Sequence, residues 1–178
     1  LPGLDGWQIN CWRGIATAVT LSTFLIAVHG RHTIAQVRAV PWEAMVIYAA
    51  FFTFGSTLYV ISLTLASTAT VAAIGAMAPL VTAILGFLLI GERPGLATWI
   101  AAVVAVAGVA IIFRDGLVAG NWLGVVAAIV TNVIFSLQLV LLRRYRGVDM
   151  TPAVVLGGIA TFLIAGFLGN GFVIRRTR

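Results

Sequence analysis

The sequence predicts an all-α integral membrane protein with about six transmembrane helices, and three observations support this fold class. Of the 178 residues, 61% are hydrophobic and only 9% are charged, whereas a soluble domain averages about 25% charged residues. Residues 44–91 carry no charge at all. The apolar segments are rich in Ala, Gly, Val and Leu and do not alternate with polar residues, which favours helices over the strands of a membrane barrel.

Charged residues and clusters of Ser and Thr divide the chain into segments close to the ~20 apolar residues that one bilayer helix needs. The uncharged segment 44–91 is long enough for two spans, and the Ser/Thr cluster at 63–68 marks the break between them. Six spans are therefore predicted, at about residues 12–28, 44–64, 68–90, 95–113, 120–142 and 152–172.

Arginines in the short loops predict the orientation in the membrane. The loops at 29–43, 91–94 and 143–149 hold six arginines, whereas the intervening loops hold Arg13 and Arg114. The first set is therefore predicted to be cytoplasmic, although three further arginines in the C-terminal tail weaken the bias. Because this interpretation treats Arg13 as a loop residue, no charged side chain is expected inside a span, and no coupling ion can be inferred.

A short internal repeat suggests that one part of the chain is related to another. The sequence GIAT occurs at residues 14–17 and again at 158–161, an offset of 144 residues. Five helices would separate equivalent points of such a repeat, and an odd number inverts the second copy. Inverted repeats are a common plan of secondary transporters.

The longest family signal is LASTATVAAIGAMAPLVTAILGFLLIGERPGLATWIAAVVAVAGVAIIF, residues 65–113. It resembles the EamA-type repeat of the drug/metabolite transporter (DMT) superfamily. That repeat has a mid-helix proline (Pro79 here), a Gly-Glu-Arg segment (91–93) and a following helix with Trp99 near its start and Gly108 near its end. CWRG (11–14) also resembles the family's arginine at the start of its second helix, and FSLQLVLLRR (135–144) resembles the opening helix of the second repeat.

The resemblance implies a ten-helix fold built from two inverted five-helix repeats. Residues 1–115 would be the first EamA-type repeat without its first helix, and residues 116–178 the beginning of the second repeat, with two helices. The chain is therefore expected to be part of a longer protein. Its RRTR end departs from the pattern, because the family's loop after the seventh helix should be extracytoplasmic.

Two features of the Gly-Glu-Arg segment can be predicted in more detail. Gly91 fits a helix C-cap, and Pro94 is expected in the first turn of the next helix, where its missing N–H costs nothing. Glu92 has two interpretations: an interfacial charge at the end of a span, or the partner of an arginine in another cytoplasmic loop.

Candidate substrate-binding residues come from polar and small side chains within the spans. Pro79 should interrupt its helix, which a membrane tolerates only beside protein or a watery cavity. Hydroxyls and an amide at helical spacing would line that cavity, although helix packing alone explains the same pattern. Small residues of the third span fall within a stripe of about 80° at helical spacing: Thr68, Ala72, Gly75, Pro79, Thr82 and Gly86. Gln138 is nearer the basic end of its span and is expected to be solvated at the interface. The candidates are Thr53, Thr57, Pro79, Thr82, Asn132 and Ser136.

The sequence therefore predicts a secondary transporter, a permease or exporter that moves small metabolites or drug-like solutes by alternating access. Its predicted surroundings are the lipid bilayer of the cytoplasmic (inner or plasma) membrane, which it crosses several times. A homo-oligomer is left open. The alternative is a non-transporting membrane scaffold or assembly subunit.

Other classes of function are not expected. The five acids are scattered, the single cysteine is Cys11, and no catalytic constellation appears, so neither an enzyme, nor a cofactor, nor a metal site is predicted. The net charge of +6 does not indicate nucleic-acid binding, because no basic residues are mixed with aromatic residues along a helix.

Overall fold

The computed structural model describes residues 6–30, 33–114 and 122–168, and every regular element within these ranges is an α-helix. The helices are α1 (Gly6–His29), α2 (Thr33–Ala39), α3 (Trp42–Leu65), α4 (Thr68–Gly75), α5 (Ala78–Ile90), α6 (Leu96–Arg114), α7 (Trp122–Arg144) and α8 (Thr151–Leu168). They form two compact units. The first consists of Leu1–Thr57 and Tyr145–Arg178, and the second of Leu58–Arg144.

The predicted all-α membrane fold is confirmed, and each predicted span has a helical counterpart. Four segments of the described chain are long and apolar enough to cross a bilayer: Gly6–Val28, Trp42–Leu65, Thr68–Ile90 and Trp122–Arg144. Leu96–Ala110 and Thr151–Phe167 are shorter apolar helices. The short helix α2 lies where the sequence analysis expected only a loop. The C-terminal RRTR lies outside the described residues.

The first unit is built on a close contact between α1 and α8, and this contact joins the two GIAT segments. A Cβ atom on Gly14 would lie 2.8 Å from both the Gly158 carbonyl oxygen and the Phe162 nitrogen. A Cβ atom on Gly158 would lie 3.0 Å from the Gly14 oxygen and 3.1 Å from the Ala18 nitrogen. Glycine is required at both positions because the two backbones touch.

These contacts are reciprocal. The offset of 144 residues matches Gly14 to Gly158 and Ala18 to Phe162. The contact of Gly14 with Phe162 therefore corresponds to the contact of Gly158 with Ala18. Reciprocal contacts are the mark of a twofold relation, and the helices run antiparallel where they cross, as inverted copies would. The assignment of residues 1–115 and 116–178 to two repeats stays a prediction.

The second unit contains a broken helix that packs on α7. Ser67 caps α4, since its hydroxyl oxygen accepts a hydrogen bond from the Thr70 N–H at 3.1 Å. Ala76 and Met77 keep right-handed helical dihedrals, but the regular hydrogen-bond pattern is interrupted there, since the Met77 N–H donates to the Ile74 carbonyl three residues back, and α5 begins at Ala78. Pro79 lies in the first turn of α5, where a missing N–H is tolerated. The predicted third span is therefore two helices.

The Gly-Glu-Arg segment forms the turn after α5. Gly91 ends the helix with φ of +66°, which glycine adopts without strain, so the predicted C-cap is confirmed. Pro94, however, lies before α6, which begins at Leu96, so its predicted place in the first turn is wrong. The Arg143 Nη1 atom lies 3.1 Å from Glu92 Oε2, which confirms the hypothesis that Glu92 pairs with an arginine.

Candidate functional site

Arg13 lies inside a helix, and this corrects its assignment to a loop. Helix α1 begins at Gly6, so Arg13 is two turns into a segment that can cross the membrane. The expectation that no charged side chain lies within a span is therefore wrong. The sequence did carry a signal, because Asn10 and Arg13 are three residues apart and so share one face of a helix.

Arg13 belongs to a cluster of polar side chains, hereafter the Arg13 cluster, that also contains Asn10, Ser56 and Thr57. The Arg13 Nη2 atom donates to the Ser56 hydroxyl, to the Ser56 carbonyl at 3.3 Å and to Asn10 Oδ1 at 3.4 Å. The Ser56 hydroxyl donates to Asn10 Oδ1 at 2.7 Å, and Asn10 Nδ2 donates to Thr57 Oγ1 at 3.1 Å. Asn10 and Ser56 are each 1% exposed.

The cluster lies at bilayer depth. Ser56 is about 4 Å beyond the middle of α3, at a rise of 1.5 Å per residue. The hydrocarbon core of a membrane is about 30 Å thick, so a guanidinium bonded to Ser56 lies well inside it when α3 crosses. Charged side chains at such positions are costly, and they commonly mark the path of a substrate or ion.

One helical turn away, Thr53 joins α3 to α8. Its hydroxyl donates to the Gly157 carbonyl at 3.2 Å, and the Thr161 hydroxyl donates to the same oxygen at 2.8 Å. The two hydroxyls lie 3.3 Å apart. The Thr53 hydroxyl thus serves a helix contact, which is the packing alternative of the sequence analysis.

A groove of about 610 Å³ lies between α3 and α8 in the first unit. Two candidate residues, Thr53 and Thr57, line it, and the remaining lining is apolar. The apolar lining residues are Val46, Ala49, Ala50, Phe54, Leu156, Ala160 and Ile164. Thr57 is therefore shared by the groove and the Arg13 cluster.

Two other candidates support the broken helix of the second unit. Asn132 Nδ2 donates to the Ile74 carbonyl at 2.7 Å, and the Ser136 hydroxyl donates to the Ala78 carbonyl at 3.4 Å. Both donors belong to α7, and the two acceptors lie on either side of the interruption. The Ile74 carbonyl also accepts from the Met77 N–H at 3.1 Å, so α7 supplies a second donor to a carbonyl beside the interruption.

The predicted stripe of small residues on the third span does not share one face. Gly75 and Pro79 are exposed, whereas Thr82 and Gly86 are buried. The prediction assumed that burial follows one helix face, but the change from exposed to buried falls between Pro79 and Thr82, within α5. Of the two candidates in this stripe, Pro79 contributes the break and Thr82 is buried inside the unit.

Three buried polar atoms of the second unit have no hydrogen-bond partner among the described residues: Thr82 Oγ1, Thr131 Oγ1 and Gln138 Nε2. The sequence analysis did not consider Thr131, although it neighbours Asn132. It expected Gln138 to be solvated at the interface, whereas the side chain is only 6% exposed. No group of three His, Cys, Asp or Glu side chains suited to a metal occurs in the described part of the chain.

The structure divides the six candidates between the two units. Thr53 and Thr57 belong to the first unit, and Pro79, Thr82, Asn132 and Ser136 to the second. Their roles as substrate-binding residues stay predictions. The residues of the Arg13 cluster that were not among the candidates are Asn10, Arg13 and Ser56, and the late predicted start of α1 accounts for the omission of the first two.

A helical membrane protein with polar clusters and an interrupted helix within its spans has the features of a transport protein. The family comparison identifies the class. The model of the EamA-like transporter family matches residues 1–114, so the chain belongs to that family, within the DMT superfamily. The searches of curated proteins and of solved structures give no match.

Proposed function

We propose that the protein is a secondary transporter that moves small metabolites or drug-like solutes across the membrane by alternating access. The coarser statement, that the chain belongs to a family of membrane transporters, rests on the family match. The interrupted helix α4–α5 supports the finer one. Transporters place substrate sites at such interruptions, because backbone groups that leave a helix become available at the depth of the bilayer.

The way in which the interruption is held supports a moving part. Helix α7 adds hydrogen bonds from Asn132 and Ser136 to the backbone hydrogen bonds that cross the interruption. Side-chain hydrogen bonds between membrane helices are worth only about 0.6 kcal/mol on average. They can therefore be exchanged during a transport cycle at low cost.

The test is solute flux. Vesicles that contain the purified protein are loaded in turn with radiolabelled amino acids, small carboxylic acids and cationic dyes, and release is compared with that from empty vesicles. Release of at least one class above the empty-vesicle rate, saturable with concentration, is the expected result. Leakage without saturation, or no release of any class, would contradict the proposal.

Two substitutions connect flux to the interrupted helix. Asn132→Leu removes the donor to Ile74 and is expected to lower the flux severalfold while leaving the amount of protein in the membrane unchanged. Ile84→Ala is the matched control, since Ile84 is 40% exposed on α5 and makes no polar contact in the structure. Equal solute flux in Asn132→Leu and Ile84→Ala would show that the bond from Asn132 to the interrupted helix does not contribute to transport.

A further inference from the structure

We propose that a buried face of α7 binds an uncharged solute with a flat apolar body and a hydrogen-bond acceptor at each end. This inference rests on the proposed transport function and deepens it by naming the substrate class. The observation that carries it is a pair of side chains on this face, Thr131 and Gln138, which are 3% and 6% exposed. Their Oγ1 and Nε2 atoms have no hydrogen-bond partner among the described residues.

The face, hereafter the Thr131 face, consists of Gly124, Thr131, Phe135 and Gln138. At 3.6 residues per turn these four residues lie within about 60° of arc around α7. The two donors to the interrupted helix lie about 110° away around the same helix. Helix α7 therefore has two buried polar faces, one that bonds to α4 and α5 and one whose polar atoms lack protein partners.

Contacts at two points show what packs against the Thr131 face. A Cβ atom on Gly124 would lie 2.7 Å from the Ala66 nitrogen, and the ring centroids of Phe135 and Tyr59 are 6.3 Å apart. The end of α3 thus follows this face, and Thr131 lies between the two contacts along α7. Packing of α3 buries the Thr131 hydroxyl without supplying a hydrogen bond to it.

The two polar atoms lie at bilayer depth. Thr131 is about 3 Å from the middle of α7 and Gln138 about 8 Å, at a rise of 1.5 Å per residue, whereas the hydrocarbon core is about 30 Å thick. A buried polar group without a partner costs free energy of folding, and such groups are rare in folded proteins. A solute that supplies the partners offsets this cost, which couples its binding to these two side chains.

The chemistry of the Thr131 face specifies the solute. Gln138 Nε2 is a donor, and the Thr131 hydroxyl can also donate, so both suit acceptors on the solute. Phe135 lies between them on the face, and its ring suits a flat apolar body. No charged residue occurs in 122–142 or in 58–66. A charged solute would be buried there without a counter-charge, which is costly, so the solute is uncharged.

Binding of three matched probes to the unchanged protein tests the inference. The purified protein in phosphatidylcholine vesicles is equilibrated at neutral pH with radiolabelled isonicotinamide, with isonicotinate, in which a carboxylate replaces the amide, and with benzamide, which lacks the acceptor in the ring. Isonicotinamide should bind at least about tenfold more tightly than isonicotinate, a difference of about 1.4 kcal/mol. It should bind roughly threefold to tenfold more tightly than benzamide, as one neutral hydrogen bond gives. Equal affinity for either analogue, or no binding of isonicotinamide, would overturn the proposal.

Substitutions then assign the preference to the Thr131 face. Thr131→Val and Gln138→Met keep the approximate shape of each side chain and remove its donor. Each should weaken binding of isonicotinamide, and in one of them the preference over benzamide should disappear, which identifies the side chain that meets the ring nitrogen. The controls are Thr98→Val on α6 and Leu139→Met on α7, both at exposed positions, and both should retain the preference. A preference that persists in both test variants would overturn the site.

Stability separates a binding role from a structural one. Because Thr131→Val and Gln138→Met remove polar atoms that have no protein partner, the midpoint of denaturation should stay the same or rise. Asn132→Leu, which removes a donor with a protein acceptor, should lower it. A fall in Thr131→Val and Gln138→Met as large as that in Asn132→Leu would show that the two side chains support the fold, and it would overturn the proposal.

Flux measurements distinguish this inference from the proposed function. Isonicotinamide joins the solutes tested for release from vesicles and should show saturable flux. Saturable flux of a charged solute without binding of isonicotinamide would overturn the inference and leave the transport function intact. The expected binding preferences without saturable flux of any solute would contradict transport and support the Thr131 face as a binding site alone.

Discussion

The two units of the molecule stabilise polar atoms at bilayer depth in different ways. In the first unit, side chains on α1 and α3 bond to one another around the charge of Arg13. In the second unit, side chains on α7 bond to backbone carbonyls beside the interruption between α4 and α5. One unit therefore supports a charged side chain, and the other supports a broken backbone.

The difference shows which interactions each problem requires. A buried guanidinium needs several oxygens in fixed positions, so Asn10 and Ser56 are almost completely buried and bonded to each other as well as to Arg13. A carbonyl beside the interruption has two lone pairs, and the Ile74 carbonyl uses them for the Met77 N–H and for the Asn132 amide. The first arrangement favours rigidity, and the second is easier to open.

The largest expected effect comes from the close backbone contact between α1 and α8 in the first unit. Gly14→Ala would place a Cβ atom 2.8 Å from backbone atoms of α8, which cannot move aside as a side chain can. We expect this overpacking to lower the free energy of unfolding by about 1–3 kcal/mol, measured by reversible denaturation in mixed detergent micelles. The control is Gly108→Ala on α6, where a Cβ atom meets nothing within 4 Å. Equal losses in the two variants would show that the first unit is not built on a close backbone contact.

The interruption in the second unit gives the next largest effect. Asn132→Leu should cost about 1–2 kcal/mol, the upper range for interhelical polar contacts. It should not cost more, because the Ile74 carbonyl also accepts from the Met77 N–H at 3.1 Å. Val133→Leu, at a neighbouring exposed position of α7, is the control for the same unfolding measurement. Indistinguishable stabilities would mean that α7 does not hold the break.

The shared carbonyl of Gly157 gives a smaller effect with a distinctive pattern. Thr53→Val and Thr161→Val should each cost about 0.6 kcal/mol. The double variant should cost measurably less or more than their sum, because the two hydroxyls contact each other and the same oxygen. A double-mutant cycle on unfolding free energies measures this coupling. Strict additivity would contradict the contact.

The ion pair of Arg143 with Glu92 should give the smallest effect. The two side chains are 43% and 32% exposed, and exposed pairs contribute about 0.2–1 kcal/mol. Glu92→Gln should lower stability by no more than this at low salt, and the difference should fade at high salt. At 1 M salt the Debye length is roughly 3 Å, so surface charges are screened. A larger loss of unfolding free energy that persists at this salt concentration would show that the pair is more than a surface contact.

Much of the fold could be predicted from the sequence. Local composition predicts the six apolar segments, the break near Ser67 and the C-cap at Gly91. The pairing of Glu92 with an arginine was one of two interpretations that the sequence allowed. The start of α1 was predicted six residues too late, because Gln8, Asn10 and Arg13 resemble a loop when only hydropathy is considered. Asn10 and Arg13 are accommodated within the helix because their side chains bond to Ser56 and Thr57 on α3.

The candidate site was predicted less completely. Helical spacing identified Asn132 and Ser136 as a pair on one face, and the structure places both against the interrupted helix. Spacing placed Pro79 and Thr82 in one stripe, but Pro79 is exposed and Thr82 is buried, because burial depends on which neighbouring helix each residue meets. The orientation in the membrane and a cavity shared by all six candidates stay predictions.

The sequence by itself determined that this chain is a bundle of membrane helices of a transporter family, because apolar length and a family motif are local properties. Only the tertiary structure decided that Arg13 is inside the bundle and bonded to Ser56, 43 residues away, and that Asn132 reaches Ile74, 58 residues away. Such pairs depend on which helix faces come together. Packing of the whole unit decides which faces of two helices come together. A backbone contact such as that of Gly14 with Gly158 fixes how closely α1 and α8 approach, and it thereby fixes the neighbours of the polar side chains between them.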